Sequence, residues 1–575
     1  MAKLLKWLKP YKNYVTASLF MIFLQAVSEL YLPNLMADIV DKGVVNQDVA
    51  YILKKGALML FVALGGTAAA ILASYLSSKA AVGFGRDLRE NIFKHVESFS
   101  LAEFDRFGTA SLITRTVNDV NQIQMMTVMG LRMVARAPLM GIGSVIMAVY
   151  KDAALSLVLL VTVPFLIGIV YFLYRRSVPL FEAIQKKIDR LNLILRENLI
   201  GIRVIRAFNR SEYERQRFEK ANLDLTETSI KVNRLMSWFM PATSLIINFT
   251  IIATIWFGGI RVERGTLQVG DLMAFIQYVM HLMFSLMMMS MVFVMLPRAY
   301  ASASRINEVL ETVPEIKEPE DPVEPEEIKG TIEFKDVTFK YPGSAEPVLK
   351  EISFRAEPGS VTAIIGGTGA GKTTILNLIM RFYDVTSGSI LIDGIDIRLL
   401  PQGKLRDAIG YVPQRVVLFS GTVEDNIRFG KTDMSREEIE RAALIAQASE
   451  FISNMEGGYN SVISQGGKNL SGGQKQRLSI ARAVAKKPRI YLFDDCFSAL
   501  DFKTDAKVRS AIREETKDST VLVVAQRVAT VMDADQIIVL KDGRIAGIGK
   551  HEELFKTCRE YREIVLSQLS EEELS

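Results

Sequence analysis

Gly366-Gly367-Thr368-Gly369-Ala370-Gly371-Lys372-Thr373 follows a β-branched run, Val361–Ile365, and leads into an apolar-periodic stretch that reaches Met380. Strand, glycine loop and helix in that order are the context in which the spacing G-x-x-x-x-G-K-[ST] cradles phosphate. The glycines let backbone N–H groups curl around phosphate oxygens, and the helix N-terminus adds partial positive charge. Lys372 is placed to reach the β- and γ-phosphates, and the Thr373 hydroxyl to ligate Mg²⁺. The segment predicts a soluble α/β domain built to hold a nucleotide.

Downstream, Ile490-Tyr491-Leu492-Phe493-Asp494 has four apolar residues before an acid. Such a run suits a strand buried on both faces of a parallel sheet, with Asp494 at its C-terminal end able to hold a metal through water. Alone the pattern is weak; paired with the glycine loop it reads as the second phosphate-site strand. Between the two lies Asn469-Leu470-Ser471-Gly472-Gly473-Gln474-Lys475-Gln476-Arg477. Ser471 and two glycines at a helix start form another anion-binding surface.

Leu470–Gln474 resembles the signature motif of the ATP-binding-cassette (ABC) family, and the other cassette motifs follow in register. Tyr341 matches the aromatic that stacks on adenine, Gln414 the glutamine near Mg²⁺, and Ser498-Ala499-Leu500-Asp501 the D-loop. The resemblance covers essentially the whole chain and is to type I ABC exporter half-transporters, six spans fused to one cassette. Phe104-Asp105, Leu112-Ile113-x-Arg115 and Asn118-Asp119 are similar to that group's first coupling-helix region. The resemblance implies ATP and Mg²⁺ as cofactors. It implies nucleotide contacts at Tyr341, at Gly366, Gly367, Thr368, Gly369, Ala370, Gly371, Lys372, Thr373 and Thr374, and at Ser471, Gly472, Gly473 and Gln474. Thr373, Gln414 and Asp494 take the metal positions, and Asp495, Gln526 and Gln414 the catalytic ones. It also implies a second chain, because in the family each signature faces the partner's glycine loop across the nucleotide.

Three positions depart from the pattern. Asp495 stands where the family has a glutamate acting as base toward water, and it is one methylene shorter. Gln526 stands at the switch histidine, and a glutamine cannot share a proton near neutral pH as imidazole does. Gln465 stands where exporters usually carry a glutamate. Asp495 and Gln526 weaken the same hydrolytic step, a pattern similar to the degenerate-site chain of heterodimeric bacterial multidrug-type exporters. The expectation is a heterodimer in which this chain's own site binds ATP but turns it over poorly, while its signature completes the partner's site.

The remaining sequence explains the composition. Of 575 residues, 49% are hydrophobic and 23% charged, with mean hydropathy +0.20 and a net charge of only +5. This excludes a disordered chain and gives no nucleic-acid footprint. Two cysteines and three histidines leave little for a disulfide scaffold or a zinc site. The apolar excess falls in six runs, Tyr14–Met36, Gly56–Leu76, Val128–Tyr150, Ala154–Tyr174, Leu235–Ile260 and Leu272–Leu296. Each is long enough to cross a hydrocarbon core of about 30 Å, so an α-helical polytopic membrane domain is expected; the third run is the least regular, carrying Arg132 and Arg136. No small-x-small site ends the first run, so it reads as a retained span rather than a signal peptide, preceded by a short interfacial helix Leu4–Leu8 with Trp7 at the headgroups.

Lys and Arg counts set the orientation. The N-terminal segment carries four, the loop from Lys79 to Thr127 six, and the loop from Arg175 to Arg234 fourteen. The alternate loops carry six in all, Lys42, Lys54, Lys55, Lys151, Arg261 and Arg264. A multi-pass protein of the bacterial inner membrane is expected, with the N-terminus, both long loops and the nucleotide domain cytoplasmic. Ile184, Ile188, Leu191, Leu195, Leu199 and Ile202 form one stripe of a helix running on into the cytoplasm, with turns near Phe104–Asp119 and Asn198–Arg210. Four prolines and eight acids between Glu311 and Gly330 predict an extended, solvated linker. The divisions are a membrane domain at 1–310, the linker at 311–330 and the nucleotide domain at 331–575.

Membrane lipids and hydrophobic small molecules are the expected contacts of the spans. Met280, Met283, Met287, Met291 and Met295 share one face, with Tyr278, Phe284, Phe293, Gln277 and His281 nearby. Such a stripe suits either a surface for varied apolar ligands or ordinary packing between helices. A lipid flippase shares this architecture and stands as the alternative to a multidrug-type exporter; a channel regulator and an importer fit less well.

Overall fold

The computed structural model describes the backbone of residues 2–568, with side chains throughout except at 2, 5, 174 and 290–294. The chain divides into two units, one of residues 1–97 and 109–312, the other of residues 98–108 and 313–575. The short helix Leu101–Phe107 thus belongs with the second unit.

Among the described residues, six helical stretches in the first unit are long and apolar enough to cross a membrane: Lys6–Val44, Val49–Glu97, Thr109–Lys151, Leu157–Ala207, Ser211–Glu263 and Val269–Met289. The second is one 49-residue helix. At 1.5 Å per residue it is roughly 74 Å long, more than twice the hydrocarbon thickness, so it continues well past the bilayer. Small residues let the first two spans approach closely. Ser18, Ala26, Gly66, Ala69 and Ala73 are buried, a Cβ on Gly66 would stand 3.0 Å from Ser28, and the Ser18 hydroxyl donates to the Ala73 carbonyl at 3.1 Å. At the N-terminus the helical turn is Ala2–Leu5, followed by a tighter 3₁₀ turn Lys6–Tyr11 that contains Pro10; Leu4 is buried and Trp7 exposed.

The two arginines of the third span are explained by their partners. The Arg132 guanidinium donates to the hydroxyls of Ser74, Ser77 and Ser78 on the second span. Arg136 donates to both carboxylate oxygens of Glu29 on the first, each at 2.8 Å. An intramembrane charge persists where a partner or polar groups receive it.

The predicted stripe lies on one continuous helix, Leu157–Ala207, but its burial changes along its length. Ile184, Ile188 and Leu191 are half-buried against the returning helix Ser211–Ser237, but Ile194 takes over as the buried residue while Leu195, Leu199 and Ile202 are exposed. Polar pairs occupy the last turns instead: Asn198 donates to Glu214 at 2.8 Å and Arg217 pairs with Glu197 at 2.7 Å. The helix continues to Ala207 and the chain reverses at Phe208–Arg210, with Asn209 in the left-handed region. The methionine stripe is also split. Met283 and Tyr278 lie fully inside the packed core of the spans, the Tyr278 hydroxyl donating to the Leu30 carbonyl at 3.0 Å. Met280, Met287, Met295, Gln277 and His281 are half-buried and Phe284 is exposed; the side chains of Met291 and Phe293 lie outside the described residues.

The second unit is an α/β domain with twelve strands among the described residues: β1 Ile332–Phe339, β2 Leu349–Ala356, β3 Val361–Gly366, β4 Ser387–Ile392, β5 Ile395–Asp396, β6 Ile409–Val412, β7 Gly421–Thr422, β8 Val462–Ile463, β9 Ile490–Asp494, β10 Thr520–Val524, β11 Gln536–Lys541 and β12 Arg544–Gly549. The central sheet runs β12-β11-β3-β10-β9-β6 and is parallel except for the edge pair β11–β12. Every residue of β9 and β10 is buried, as continuous apolar strands between two covered faces must be. An antiparallel sheet, β2-β1-β4-β5, lies beside it.

The acidic stretch before β1 is extended, as its prolines require, yet it is tied to the domain rather than left in water. Glu318 accepts from the Gln402 amide, Val323 donates to the Leu399 carbonyl, and Lys404 donates to the Pro325 carbonyl. The capped helix Leu101–Phe107 is held similarly. Ser100 and Glu103 form a reciprocal capping box, Glu103 also accepts from the Glu315 amide at 3.0 Å, and Tyr383 donates to Asp105 at 3.1 Å.

Candidate nucleotide site

The end of β3, the first turn of the helix Lys372–Ile379, and the ends of β9 and β10 converge on one cavity of about 330 Å³. It is lined by Tyr341, Thr368, Gly369, Gly371, Lys372, Thr373, Thr374, Gln414, Asp494, Asp495 and Gln526, together with Val348 and Val524. Residues separated by up to 185 positions in the chain meet here because the parallel order β3-β10-β9 brings the C-terminal ends of these strands to one edge.

The glycine loop needs its glycines. Gly369 and Gly371 have φ of 81° and 98°, and a Cβ on Gly371 would stand 2.6 Å from the Leu349 side chain. Lys372 is only 8% exposed, and its ammonium donates to the Gly366 and Gly367 carbonyls, both at 2.8 Å. Burial pulls the Lys372 pKa below its usual range, opposed by the carboxylates of Asp495 and Asp494. The Thr373 hydroxyl donates to Asp494 at 3.0 Å. Burial raises the Asp494 pKa, and the Thr373 bond works against that rise. Tyr341 stands at the other end, its hydroxyl 3.0 Å from that of Thr374 and its ring set edge-on against Phe339 and Tyr383.

Asp495 sits immediately past β9 with φ 46°, in the left-handed region. Its amide donates to the Val524 carbonyl at 2.9 Å, and its carbonyl accepts from the Ser498 hydroxyl at 2.9 Å. One carboxylate oxygen, Oδ2, accepts from the side-chain amides of both Gln414 and Gln526, at 3.1 and 3.0 Å. Gln526 is itself braced, its carbonyl accepting from Gln568 at 2.8 Å. Motif reading could find neither this brace nor Val348 and Val524, because an ordinary glutamine and two valines carry no distinguishing spacing.

The signature residues lie outside the cavity. Ser471 caps the helix Gly472–Ala485 in a reciprocal box with Gln474, and Ser471 and Gly472 are exposed. A Cβ on Gly473 would meet the Ala499 carbonyl at 3.3 Å, so the helix start is seated on the segment Ser498–Asp501. Gln465 is exposed in a short 3₁₀ turn, apart from the cavity.

Residues 15–286 match the family model for the ABC transporter transmembrane region, and residues 349–498 that for the ABC transporter cassette. An uncharacterized ABC transporter ATP-binding protein of Mycobacterium tuberculosis (strain CDC 1551 / Oshkosh) is 43% identical over 99% of this chain and 98% of the relative. This chain is an ABC transporter. It carries both parts of an ABC exporter half-transporter, and its cassette binds ATP and couples hydrolysis to transport. It is a multi-pass membrane protein with the ATP-binding domain on the cytoplasmic side. An ABC transporter ATP-binding/permease protein of Mycobacterium bovis (strain ATCC BAA-935 / AF2122/97), named for fatty acids, is 35% identical over 81% of this chain and 74% of the relative. Among solved structures, that of a bacterial Atm1-family ABC exporter with ATP bound aligns with TM-score 0.82 and 27% identity, covering 97% of this chain and 99% of the other.

Proposed function

We propose that this ABC exporter chain is the weakly hydrolysing member of an unequal pair, exporting amphipathic and hydrophobic compounds by alternating access. The observation that carries this reading is the double amide contact on Asp495 Oδ2. A general base must present a free lone pair within about 2.6–3.2 Å of the attacking water. Asp495 reaches one methylene less far than glutamate, and a misplacement of about 1 Å costs on the order of 10²-fold in rate. One of its two carboxylate oxygens, Oδ2, already receives the Gln414 and Gln526 amides, which pin the carboxylate in place and leave Oδ1 without a hydrogen bond among the described residues. Gln526 brings a neutral amide that can hydrogen-bond a phosphate but cannot take up or release a proton near neutral pH as imidazole does.

The binding side is complete. Loop N–H groups and Lys372 suit the phosphates, and Tyr341 suits the adenine face. Mg²⁺ fits the same corner: Thr373 and Asp494 offer hard oxygens 3.0 Å apart, with Gln414 on the same cavity wall. These residues would hold the ion, which when bound neutralises charge on the phosphates. The exposed Ser471–Gln474 edge would complete the partner's site, where hydrolysis resets the cycle.

ATPase assay of the purified chain tests this: brisk, Lys372-dependent turnover in the absence of any other chain overturns the unequal pair. A second reading, transport of a lipid-like amphiphile, is favoured by the fatty-acid name of the 35% identical relative. Movement of labelled lipid between leaflets, dependent on ATP, distinguishes it from drug export.

A further inference from the structure

Within the six apolar runs only three side chains carry a fixed charge, Glu29, Arg132 and Arg136. Two arginines against one glutamate leave one positive charge inside the spans. A charge in hydrocarbon is costly and persists where it has a partner or a task. Glu29 lies 15 residues before Val44, and Arg136 15 residues before Lys151, where their helical stretches end at the outer face. At about 22 Å of helix from that face, the pair lies well inside a core about 30 Å thick.

The opposite charges are satisfied unequally. The Glu29 carboxylate receives three hydrogen bonds, two from Arg136 Nη2 and one from the Gln25 amide at 2.9 Å. Arg136 commits only Nη2, and among the described residues its Nε and Nη1 have no acceptor. Arg132 stands one turn nearer the cytoplasm, in the π-helical turn Gly130–Val134, a geometry frequent at functional sites. It donates to three serine hydroxyls and the Ser74 carbonyl, and among the described residues it forms no ion pair. His281 of the sixth span is half-buried, close enough for the charges of Glu29 and Arg136 to act on it. A cationic head group would compete with Arg136 for Glu29. An anionic one takes N–H donors that no other residue claims.

We propose that Arg136, with Arg132 and His281 beside it, forms the head-group site for the cargo, and that this cargo is an anionic amphiphile. Its carboxylate or phosphate takes the uncommitted N–H groups of Arg136, and the second arginine supplies the charge that Glu29 does not balance. A guanidinium presents a planar array of donors matched to either anion. A plain strut between the first and third spans accounts for Glu29 and Arg136 but leaves Arg132 without a counter-charge. The inference rests on the export reading above and names its cargo; it uses no cassette residue.

The test is a binding measurement without nucleotide on the purified full-length transporter in phosphatidylcholine nanodiscs. Turnover that overturned the unequal pair would leave this result intact, and failure here would leave the unequal pair standing. A photoactivatable fatty acid is cross-linked in competition with oleate, oleyl phosphate, oleyl alcohol or oleylamine, which share one chain length. The better of the two anions, which identifies the head group, should displace it at concentrations about tenfold below the alcohol or the amine, the gain of a charge-assisted contact. Arg136→Gln should abolish that preference and leave competition by oleyl alcohol unchanged, which also reports that the variant is folded. Glu29→Gln breaks the same ion pair but releases Nη2 as well, so it should strengthen binding of the anion. A strut without a cargo role predicts that both substitutions act alike. A shift in the same direction in both variants therefore overturns the proposal. So does equal displacement by all four amphiphiles in the wild-type protein, the result expected if a second chain's carboxylate neutralises the arginines.

Discussion

The two sides of the nucleotide cavity are built from the same strands but differ in how their polar groups are committed. On the binding side, Lys372 donates only to loop carbonyls and Thr373 only to Asp494, contacts that phosphate oxygens and a cation replace with stronger, charge-assisted ones. On the hydrolytic side, Asp495 Oδ2 is shared by two amides, and one of them, Gln526, is anchored from behind by Gln568. The first side gains by taking up ligand. The second holds one carboxylate oxygen in two hydrogen bonds, so the Asp495 side chain can move toward a water only by breaking them. The proposed unequal pair accordingly predicts that affinity and turnover separate in this cassette.

The largest expected effect tests the binding side. Lys372→Ala should weaken ATP binding about a hundredfold, since a buried charge-assisted contact to phosphate is worth roughly 1.5–3 kcal/mol; fluorescent-nucleotide titration measures it, and a change under threefold breaks the distinction. Asp495→Glu should next raise turnover of the chain about tenfold with little change in affinity, read as phosphate release at saturating ATP. An increase in affinity without faster turnover would assign Asp495 to binding instead. Tyr341→Ala should reduce ATP affinity by about five- to tenfold, from base–aromatic stacking of about 1–3 kcal/mol, leaving turnover at saturation unchanged. Gln568→Ala, which frees the brace behind Gln526, is the smallest: a change in turnover of about twofold, with affinity unaltered, sharpens the picture of a held hydrolytic corner.

Much of the fold was legible because its signals are local or strictly periodic. The six spans, the glycine loop and the buried strand β9 each follow from residue type over a short window, since a bilayer demands about 20 apolar residues and a phosphate cradle demands glycines at fixed offsets. What covers the helical stripe past Leu191 was not legible, for the complementary reason. Its step continues in sequence, but which side of the helix is covered depends on where the returning helix crosses and where Asn198 and Glu197 find Glu214 and Arg217. The attachment of the acidic linker to the cassette was not legible, because it rests on partners such as Lys404, some 80 positions away.

From the stretch Gly366–Thr373 with Asp494 the sequence alone determined a nucleotide-binding α/β domain, because phosphate geometry allows few substitutes at those positions; Leu470–Gln474 carried the resemblance to ABC cassettes, and six apolar runs long enough for a bilayer determined the spans. Asp495 and Gln526 were also visible as departures. That both converge with Gln414 on a single oxygen was decided only by the tertiary structure. So was the pairing of Arg132 with three serines and of Arg136 with Glu29. Hydrogen bonds of about 3 Å form between side chains according to strand order and helix crossing, and neither is written in the spacing of the residues that make them.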